Sequence, residues 1–252
     1  MEQIPGSLEV NKNIKIISGE DFHSQMDADK TLSERAHKLT EQSKVMLRGV
    51  MKEKYKLDKL VLEFGKVERI IQGLGIESLE ELKGKKMLDL GCGHTIPADM
   101  RETAKKLQEK MKESGMDAWS GSQLPEYREL QDRLPEHSEL LWEIAPGASS
   151  FEPWVPRILH ELGAEMTGVD IGNLEGEEFT HFGGINLLDT DILERVLPKD
   201  HFDAVHVRLV EDSPVFKAEC RKRGITPKEG IEKIKNAAKS FTKEGGILMD
   251  IQ

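Results

Sequence analysis

The stretch that most constrains this chain is residues 86–93, with the sequence KMLDLGCG. Apolar residues typical of a strand lead to Asp89, and Gly91 and Gly93 follow at a spacing of two. Glycine has no Cβ and tolerates positive φ, so the backbone here can approach a ligand closely. An acid at the carboxyl end of a strand lies in the crevice where open α/β sheets bind their ligands. The pattern therefore predicts a nucleotide-type binding loop.

The composition indicates a soluble globular protein. The chain has 252 residues, of which 37% are hydrophobic and 33% charged, so it can bury the core of one large domain. No apolar run approaches the ~20 residues that span a bilayer, and the first residues, MEQIP, do not resemble a signal peptide. Cys92 and Cys220 do not make a disulfide framework. We expect a cytoplasmic protein that does not enter membranes.

The charge argues against nucleic acid as a partner. The net charge is −10, so the molecule as a whole should repel phosphates. The local exception is residues 44–59, where six basic residues stand against two acids. This run is either the solvated face of an amphipathic helix or a basic patch for a partner.

Three regions follow from the pattern along the chain. Residues 1–30 are polar and without a period, which predicts a flexible arm. Residues 31–84 have the apolar spacing of helices, and a capping box at Ser78 and Glu81 precedes Gly84. Residues 85–252 alternate strand and helix patterns, with strands at about 86–90, 165–170, 182–187, 203–208 and 246–251 and helices at about 153–162 and 227–241. The predicted fold is α/β, a Rossmann-like, mostly parallel sheet with helices on both faces.

A helical insertion at about residues 97–152 separates the glycine loop from the first sheet helix. It contains helical patterns at about 98–111 and 126–134. Loops tied to a rigid sheet edge often carry binding function, so the insertion is either a lid or a decoration without a role in binding.

The glycine loop does not suit a dinucleotide. The dinucleotide fingerprint needs a third glycine where Ile96 stands, and a helix beginning there to face the pyrophosphate. Pro97 and the insertion follow instead, so no such helix is expected and NAD is disfavoured. No P-loop lysine motif occurs in the chain.

Four elements together resemble the class I S-adenosylmethionine-dependent methyltransferases. LDLGCG (88–93) is similar to the family's signature loop, and GVD (168–170) to its next strand, whose terminal acid holds the ribose hydroxyls. FDAVHV (202–207) resembles the fourth strand, and KEGGIL (243–248) the turn into the fifth. They occur in the family's order over about residues 84–252. S-adenosylmethionine carries a sulfonium and an amino group but no phosphate, so a loop flanked by acids suits it.

The resemblance implies which residues bind the cofactor. The loop would line the methionine and ribose side, and the acid of the second strand would hold the ribose diol. The end of the third strand would lie beside the adenine, with Asp189 and Asp191 as rivals for that position. Arg208, just past the fourth strand, would approach the methyl group or the acceptor. The implied cofactor-binding residues are Asp89, Gly91, Cys92, Gly93, Asp170, Ile171, Asn186, Leu187 and Arg208.

No catalytic base is assigned by the sequence. For an acceptor that must lose a proton, the candidates are His94, His206 and Asp212. The alternative for His94 is an ordinary loop histidine, and for His206 a satisfied histidine within an apolar strand. Cys92 is expected to pack rather than to act as a nucleophile, and no metal site is predicted.

The chain departs from the family pattern in three places. Thr95 stands where many relatives have glycine, and residues 171–180 are too few for the usual second sheet helix. The family sheet has two further strands after the fifth, whereas this chain stops at Gln252. An exposed apolar edge at 246–251 would need cover. We expect that cover from the N-terminal helices or from a second subunit of a homo-oligomer.

The sequence thus predicts methyl transfer from S-adenosylmethionine to a small-molecule acceptor. The alternative is a non-catalytic S-adenosylmethionine-binding protein with a regulatory or scaffolding role. The shortened sheet and Thr95 favour this alternative, and Asp89 and Asp170 oppose it.

Overall fold

A parallel sheet with helices on both faces organises the part of the chain that the computed structural model describes, which is residues 13–18, 29–55, 64–116, 124–133, 152–208 and 214–251. The strands are β1 (Lys15–Ser18), β2 (Lys86–Leu90), β3 (Glu165–Val169), β4 (Thr180–Phe182), β5 (Phe202–Arg208) and β6 (Thr242–Ile251). The helices are α1 (Lys30–Glu53), α2 (Phe64–Leu74), α3 (Ala98–Ser114), α4 (Pro125–Arg133), α5 (Trp154–Glu161), α6 (Thr190–Val196), α7 (Pro214–Lys222) and α8 (Pro227–Phe241), with a 3-10 turn at Leu79–Leu82.

The strand order places a ligand crevice beside the glycine loop. The order is β1-β6-β5-β2-β3-β4, and every described strand pair is parallel. Numbered from β2 as the first, the five strands β2 to β6 lie in the order 3-2-1-4-5. This order reverses between β2 and β5, and open α/β sheets bind ligands outside the carboxyl ends of the strands at such a switch point. The predicted Rossmann-like α/β fold is confirmed.

The side chains of β2 point alternately to the two faces of the sheet, and a separate core cluster lies on each face. Met87 faces a cluster that includes residues of α1, α2 and α5, whereas Leu88 and Leu90 face a cluster with residues of α6, α7 and α8. Because successive strand side chains point to opposite faces, Asp89 lies on the Met87 face of the sheet. This places its carboxylate under helices rather than at the strand end.

Two helix boundaries follow the predicted end signals. At α8, the Glu229 N–H donates to Thr226 Oγ1 at 3.2 Å and the Glu229 carboxylate accepts from the Thr226 N–H at 2.7 Å, with Pro227 in the first turn. At the 3-10 turn, the Glu81 carboxylate accepts from the Ser78 N–H at 3.1 Å. The helix of residues 227–241 therefore begins and ends as predicted.

Helix α1 carries part of the basic run of residues 44–59. Leu47 and Met51 are buried, while Arg48 and Lys52 are exposed on the other side of the helix. Lys56 and Lys59 of the run lie outside the described residues. Among the described residues, no helix combines the length and the apolar character that a bilayer crossing requires.

The edge of β6 is covered by a strand from the N-terminal region. Residues 15–18, predicted as part of a flexible arm, form β1 and pair in parallel with β6, with Ile17 opposite Met249. The expected cover by the N-terminal helices or by a second subunit is therefore wrong. A four-residue strand is too short for its pattern to stand out in a sequence. The rest of the predicted arm, residues 1–12 and 19–28, lies outside the described residues, as does Gln252.

β4, the third strand counted from β2, ends earlier than predicted. It was expected at 182–187, but β4 is Thr180–Phe182. Gly183 and Gly184 follow, the latter at φ 73°, and glycines at such positions end a strand. The Leu188 N–H then donates to Asn186 Oδ1 at 3.0 Å, a local turn that competes with strand pairing. β6, in contrast, begins at Thr242, before the predicted 246.

The helical insertion contributes α3 and α4. These two helices confirm the patterns predicted at about 98–111 and 126–134. Helix α3 begins at Ala98, only two residues after Ile96, so a helix start does lie close to the glycine loop, although not at Ile96 itself. Pro97 precedes the first turn, where its missing N–H costs nothing. The buried side chains of α3 form a separate small cluster with Ile96, Leu124 and Tyr127, and α5 is the helix that packs on β3. Residues 117–123 and 134–151 of the insertion lie outside the described residues.

Candidate functional site

The glycine loop turns from the end of β2 toward the end of β3. Gly91 and Gly93 have φ angles of 78° and 96°, in the region that favours glycine. The N–H groups of Gly91 and Cys92 donate to the Val169 carbonyl at 2.8 and 3.3 Å. A side chain at either glycine would strain this turn, so the residue types follow from the geometry.

The carboxylate of Asp170 joins the glycine loop to the segment after β3. Its Oδ2 accepts a hydrogen bond from the Gly93 N–H at 2.9 Å, and its Oδ1 accepts from the Gly172 N–H at 2.8 Å. Asp170 directly follows β3, so the side chain stands at the carboxyl edge of the sheet. The structure thus brings together two predicted site residues that are 77 positions apart.

A cavity of about 460 Å³ opens beside Asp170, lined by residues of β4 and of the segments that follow β3 and β4. Ile171 lines it and is 46% exposed, so it offers apolar surface to the cavity. A Cβ on Gly172 would lie 2.4 Å from His94 Cβ, and one on Gly183 would lie 2.9 Å from the Gly172 oxygen. The volume falls in the range of small-molecule sites.

Asp89 and His206 form a buried pair below the loop. His206 lies opposite Asp89 on the neighbouring strand, and its Nδ1 is 2.7 Å from Asp89 Oδ1. The side chains are 4% and 0% exposed. Within the described residues, Asp89 Oδ2 and His206 Nε2 have no hydrogen-bond partner. His206 is therefore a core histidine, and its burial separates it from the cavity beside Asp170.

Thr95 ties the glycine loop to the segment between β3 and β4. Its N–H donates to the Asn173 oxygen at 2.7 Å, and its hydroxyl donates to Glu177 Oε1 at 2.7 Å. Glu177 also accepts two hydrogen bonds from the Arg157 guanidinium, and Arg157 Nη1 donates to Glu152 at 3.0 Å. This loop clamp of Thr95, Glu177, Arg157 and Glu152 gives the hydroxyl of Thr95 a defined acceptor and anchors the glycine loop.

The guanidinium of Arg157 is also packed between aromatic rings. Its central carbon lies 4.5 Å from the ring centroid of Trp154 and 5.1 Å from that of Tyr55. The side chains of Arg157 and Glu177 are 5% and 4% exposed. A buried charge needs a partner of opposite sign, and Arg157 has two. The loop clamp is therefore a buried, charge-paired network that anchors the glycine loop through Thr95.

Arg208 closes the other side of the loop. Its Nη1 donates to the carbonyl oxygens of Cys92 and Glu152, at 3.1 and 3.3 Å. Cys92 itself is fully buried, and burial, together with the nearby charges of Asp89 and Asp170, raises the pKa of its thiol well above the ordinary value. A protonated, buried thiol is a packing group and not a nucleophile.

The remaining predicted residues lie at varying distances from the cavity. His94 is 4% exposed and packs on Gly172. Leu187 is buried, and the Asn186 amide donates to Glu219 at 3.3 Å. Because β4 ends at Phe182, neither residue stands at the end of the third strand, where it was predicted to lie.

The two acids predicted as alternatives for the position beside the adenine form ion pairs with other residues. Asp189 accepts from Arg223 at 2.8 Å, and Asp191 is paired with Arg195 on the surface. Asp212, a candidate base, lies outside the described residues.

Sequence reasoning missed the loop clamp and His181. Arg157 carries a signal in retrospect, because it is a charged residue inside the apolar helical pattern of residues 154–162. Glu177 and His181 carry no such signal in the sequence, because only the folded path of the chain after β3 brings them to the site.

Comparison of the chain with protein-family models, with curated proteins and with solved structures gave no match. Among the described residues, no cluster of three or more His, Cys, Asp or Glu side chains could hold a metal ion.

Proposed function

We propose that this chain binds S-adenosylmethionine and transfers its methyl group to a small-molecule acceptor in the cytoplasm. The observation that carries the proposal is the hydrogen bond from Gly93 to Asp170 beside the cavity. It joins a glycine loop at the carboxyl end of β2, an acid at the end of the next strand and an open cavity lined by β4 and by the segments that follow β3 and β4. The family resemblance of these same residues supports the assignment.

Asp170 fits the ribose of this cofactor. An ionised carboxylate offers about four acceptor positions, and the two backbone N–H groups of Gly93 and Gly172 use one position on each oxygen. Ribose hydroxyls are donors that can share the same oxygens. The backbone bonds also fix the carboxylate in place before a ligand arrives, which lowers the entropy cost of binding.

The cavity fits an adenine ring. Ile171 offers exposed apolar surface, and Gly172, Gly183 and Gly184 add no side chains to the walls. A flat aromatic ring gains from burial against such a surface. Removing a ring of this kind from water at an apolar wall is favourable at roughly 25 cal/mol per Å² of apolar area.

The residues around the loop fit a positioning role in the transfer. S-adenosylmethionine supplies an electrophilic methyl group on a sulfonium, so the protein has little covalent chemistry to perform. Arg208 and the loop clamp hold the glycine loop from two sides. Holding two reactants in line converts a bimolecular step into an effectively unimolecular one. The methyl acceptor would enter at the carboxyl edge of β2 and β5.

Turnover tests this proposal and separates it from non-catalytic binding. The purified chain is incubated with S-adenosylmethionine and a small-molecule extract, and S-adenosylhomocysteine is quantified by mass spectrometry. We expect product that depends on the extract and is strongly reduced in Asp170→Ala. Binding of S-adenosylmethionine without product from any fraction would favour the regulatory alternative. Binding of NAD in place of S-adenosylmethionine would overturn the cofactor assignment.

A further inference from the structure

His181 lines the cavity beside Asp170 and has a hydrogen-bond acceptor of fixed identity. It is the middle residue of β4 and lines the cavity. Its Nδ1 lies 2.9 Å from the carbonyl oxygen of Phe179. A carbonyl oxygen only accepts, so Nδ1 carries the proton of this hydrogen bond. In the neutral ring, Nε2 is then the acceptor.

The ring of His181 is also held in orientation. The Phe179 ring packs against it edge-on, with centroids 6.2 Å apart and an interplanar angle of 80°. Phe179 is itself 4% exposed and packs over Gly168, where a Cβ would come within 2.7 Å of the phenyl ring. The backbone carbonyl and the phenyl ring of one buried residue thus fix both the tautomer and the direction of the imidazole.

The other residues that line the cavity offer few side-chain groups that could form a hydrogen bond with the edge of a nucleobase. Ile171 is apolar, and the glycines have no side chains. The Asn173 side-chain oxygen accepts from the Glu175 N–H at 2.9 Å, and its backbone oxygen accepts from Thr95. Glu175 is exposed on the rim. His181 is therefore the side chain best placed to recognise a polar group on a ring bound in the cavity.

This inference rests on the proposed function and deepens it. We propose that His181 selects the base of the cofactor by accepting a hydrogen bond from the exocyclic 6-amino group of adenine. A 6-oxo purine would present an acceptor to this acceptor and leave both unpaired. Sites that hydrogen-bond a substrate group reject the analogue that lacks it, because a buried polar group is left without a partner.

Two ligands that differ at one atom test this selection. S-adenosylhomocysteine and its deaminated analogue S-inosylhomocysteine are titrated calorimetrically into the full chain. We expect the wild type to prefer the adenosyl ligand by on the order of 10-fold or more, the range of a lost hydrogen bond. His181→Phe keeps the ring shape without the acceptor, so both ligands should bind within about 3-fold of each other. Glu175→Gln is the matched control and should keep the wild-type preference.

The outcomes distinguish this inference from the proposed function. Equal binding of both ligands to the wild type, or an unchanged preference in His181→Phe, would overturn the role of His181 alone. If the preference for the adenosyl ligand is lost in Glu175→Gln and kept in His181→Phe, the Glu175 carboxylate on the rim, and not His181, recognises the nucleobase. Failure of both ligands to bind would overturn the proposed function and this inference with it. A change of the His181 Nε2 nitrogen shift with the adenosyl ligand alone provides a second readout, independent of the variants' stability.

Discussion

Asp89 and His206 face each other across β2 and β5 and share a hydrogen bond of 2.7 Å in the sheet interior. The carboxylate is 0% and the imidazole 4% exposed. The pair lies two residues before Gly91 on one strand and two before Arg208 on the other. A predicted cofactor-binding acid and a candidate catalytic base thus form a polar link beneath the loop.

Removing one partner of this pair should destabilise the fold strongly. His206→Leu leaves the buried Asp89 carboxylate without its hydrogen-bond partner, and an unsatisfied buried polar group costs about 1–3 kcal/mol, more for a charged one. The double variant Asp89→Leu with His206→Leu should lose less than the sum of the single variants, because no buried polar group is left without its partner. Urea unfolding measures all three, with the half-buried His201→Leu as a control. Additive losses would show that the pair does not act as a unit.

Thr95→Val should loosen the glycine loop, although the side chain at position 95 keeps almost the same size. The variant removes the hydroxyl that donates to Glu177, and hydrogen bonds to charged groups contribute about 1.5–3 kcal/mol. Thr103→Val removes a hydroxyl that donates to a neutral backbone oxygen on α3, and should cost under about 1 kcal/mol. Chemical denaturation compares the two variants. Equal losses of unfolding free energy would mean that the Thr95 hydroxyl in the loop clamp stabilises the fold no more than an ordinary hydroxyl hydrogen bond does.

Asp203 should make the fold sensitive to acid. Its carboxylate accepts from the Lys86 N–H at 2.9 Å and from the Lys243 ammonium. Burial alone would raise the pKa of this carboxyl, but these hydrogen bonds and the charges of Lys243 and Lys85 bring its pKa below the ordinary value. A carboxyl with a lowered folded pKa stabilises the fold above its unfolded pKa of about 3.9, and this contribution disappears as the pH falls through the folded value.

The comparison of wild type with Asp203→Asn measures this contribution. The difference in unfolding free energy should be constant from about pH 5 to 7 and shrink below about pH 4. Asp191→Asn changes a carboxylate whose side chain is 80% exposed and should show little difference at any pH. A difference for Asp203→Asn that grows on acidification would contradict the assigned direction of the shift.

Gly73 should control the attachment of β1 to the sheet. A Cβ at this position of α2 would lie 3.1 Å from the side chains of Ile17, Ile247 and Met249. Overpacking of this kind costs about 1–3 kcal/mol, so Gly73→Val should destabilise the fold and speed hydrogen exchange in β1. Gly65→Val lies in the same helix with open space around it and should do neither. Matching effects of the two variants would mean that helix propensity, and not contact with β1, is responsible.

The sequence was informative wherever a local pattern has one physical cause. The glycine loop, the strand ending in Asp170 and the capping box of α8 each combine residue types that only one local geometry requires. The burial of Asp89 could also follow from alternation along β2, because Met87 and Asp89 share a face. The prediction from the pattern of residues 86–93 instead took Asp89 as the end of the strand, within the ligand crevice.

The features that the sequence did not predict depend on segments distant in the chain. β1 is a four-residue strand whose partner lies more than 220 residues away, and no local signal announces such a pairing. β4 ends at Phe182 because two glycines and the Asn186 turn follow, although the apolar residues after them resemble a strand. The loop clamp joins Thr95, Arg157 and Glu177, which meet only once α5 has packed on β3.

The most direct test of the central claim is a calorimetric titration of S-adenosylhomocysteine into the wild type and Asp170→Ala. Asp132→Ala, an exposed carboxylate on α4, serves as the control. We expect the ligand to bind the wild type and the control alike. Binding to Asp170→Ala should be roughly 10- to 150-fold weaker, the equivalent of about 1.5–3 kcal/mol for hydrogen bonds to a charged group. No binding to the wild type, or equal binding to all three proteins, would contradict the role of Asp170 in binding the cofactor.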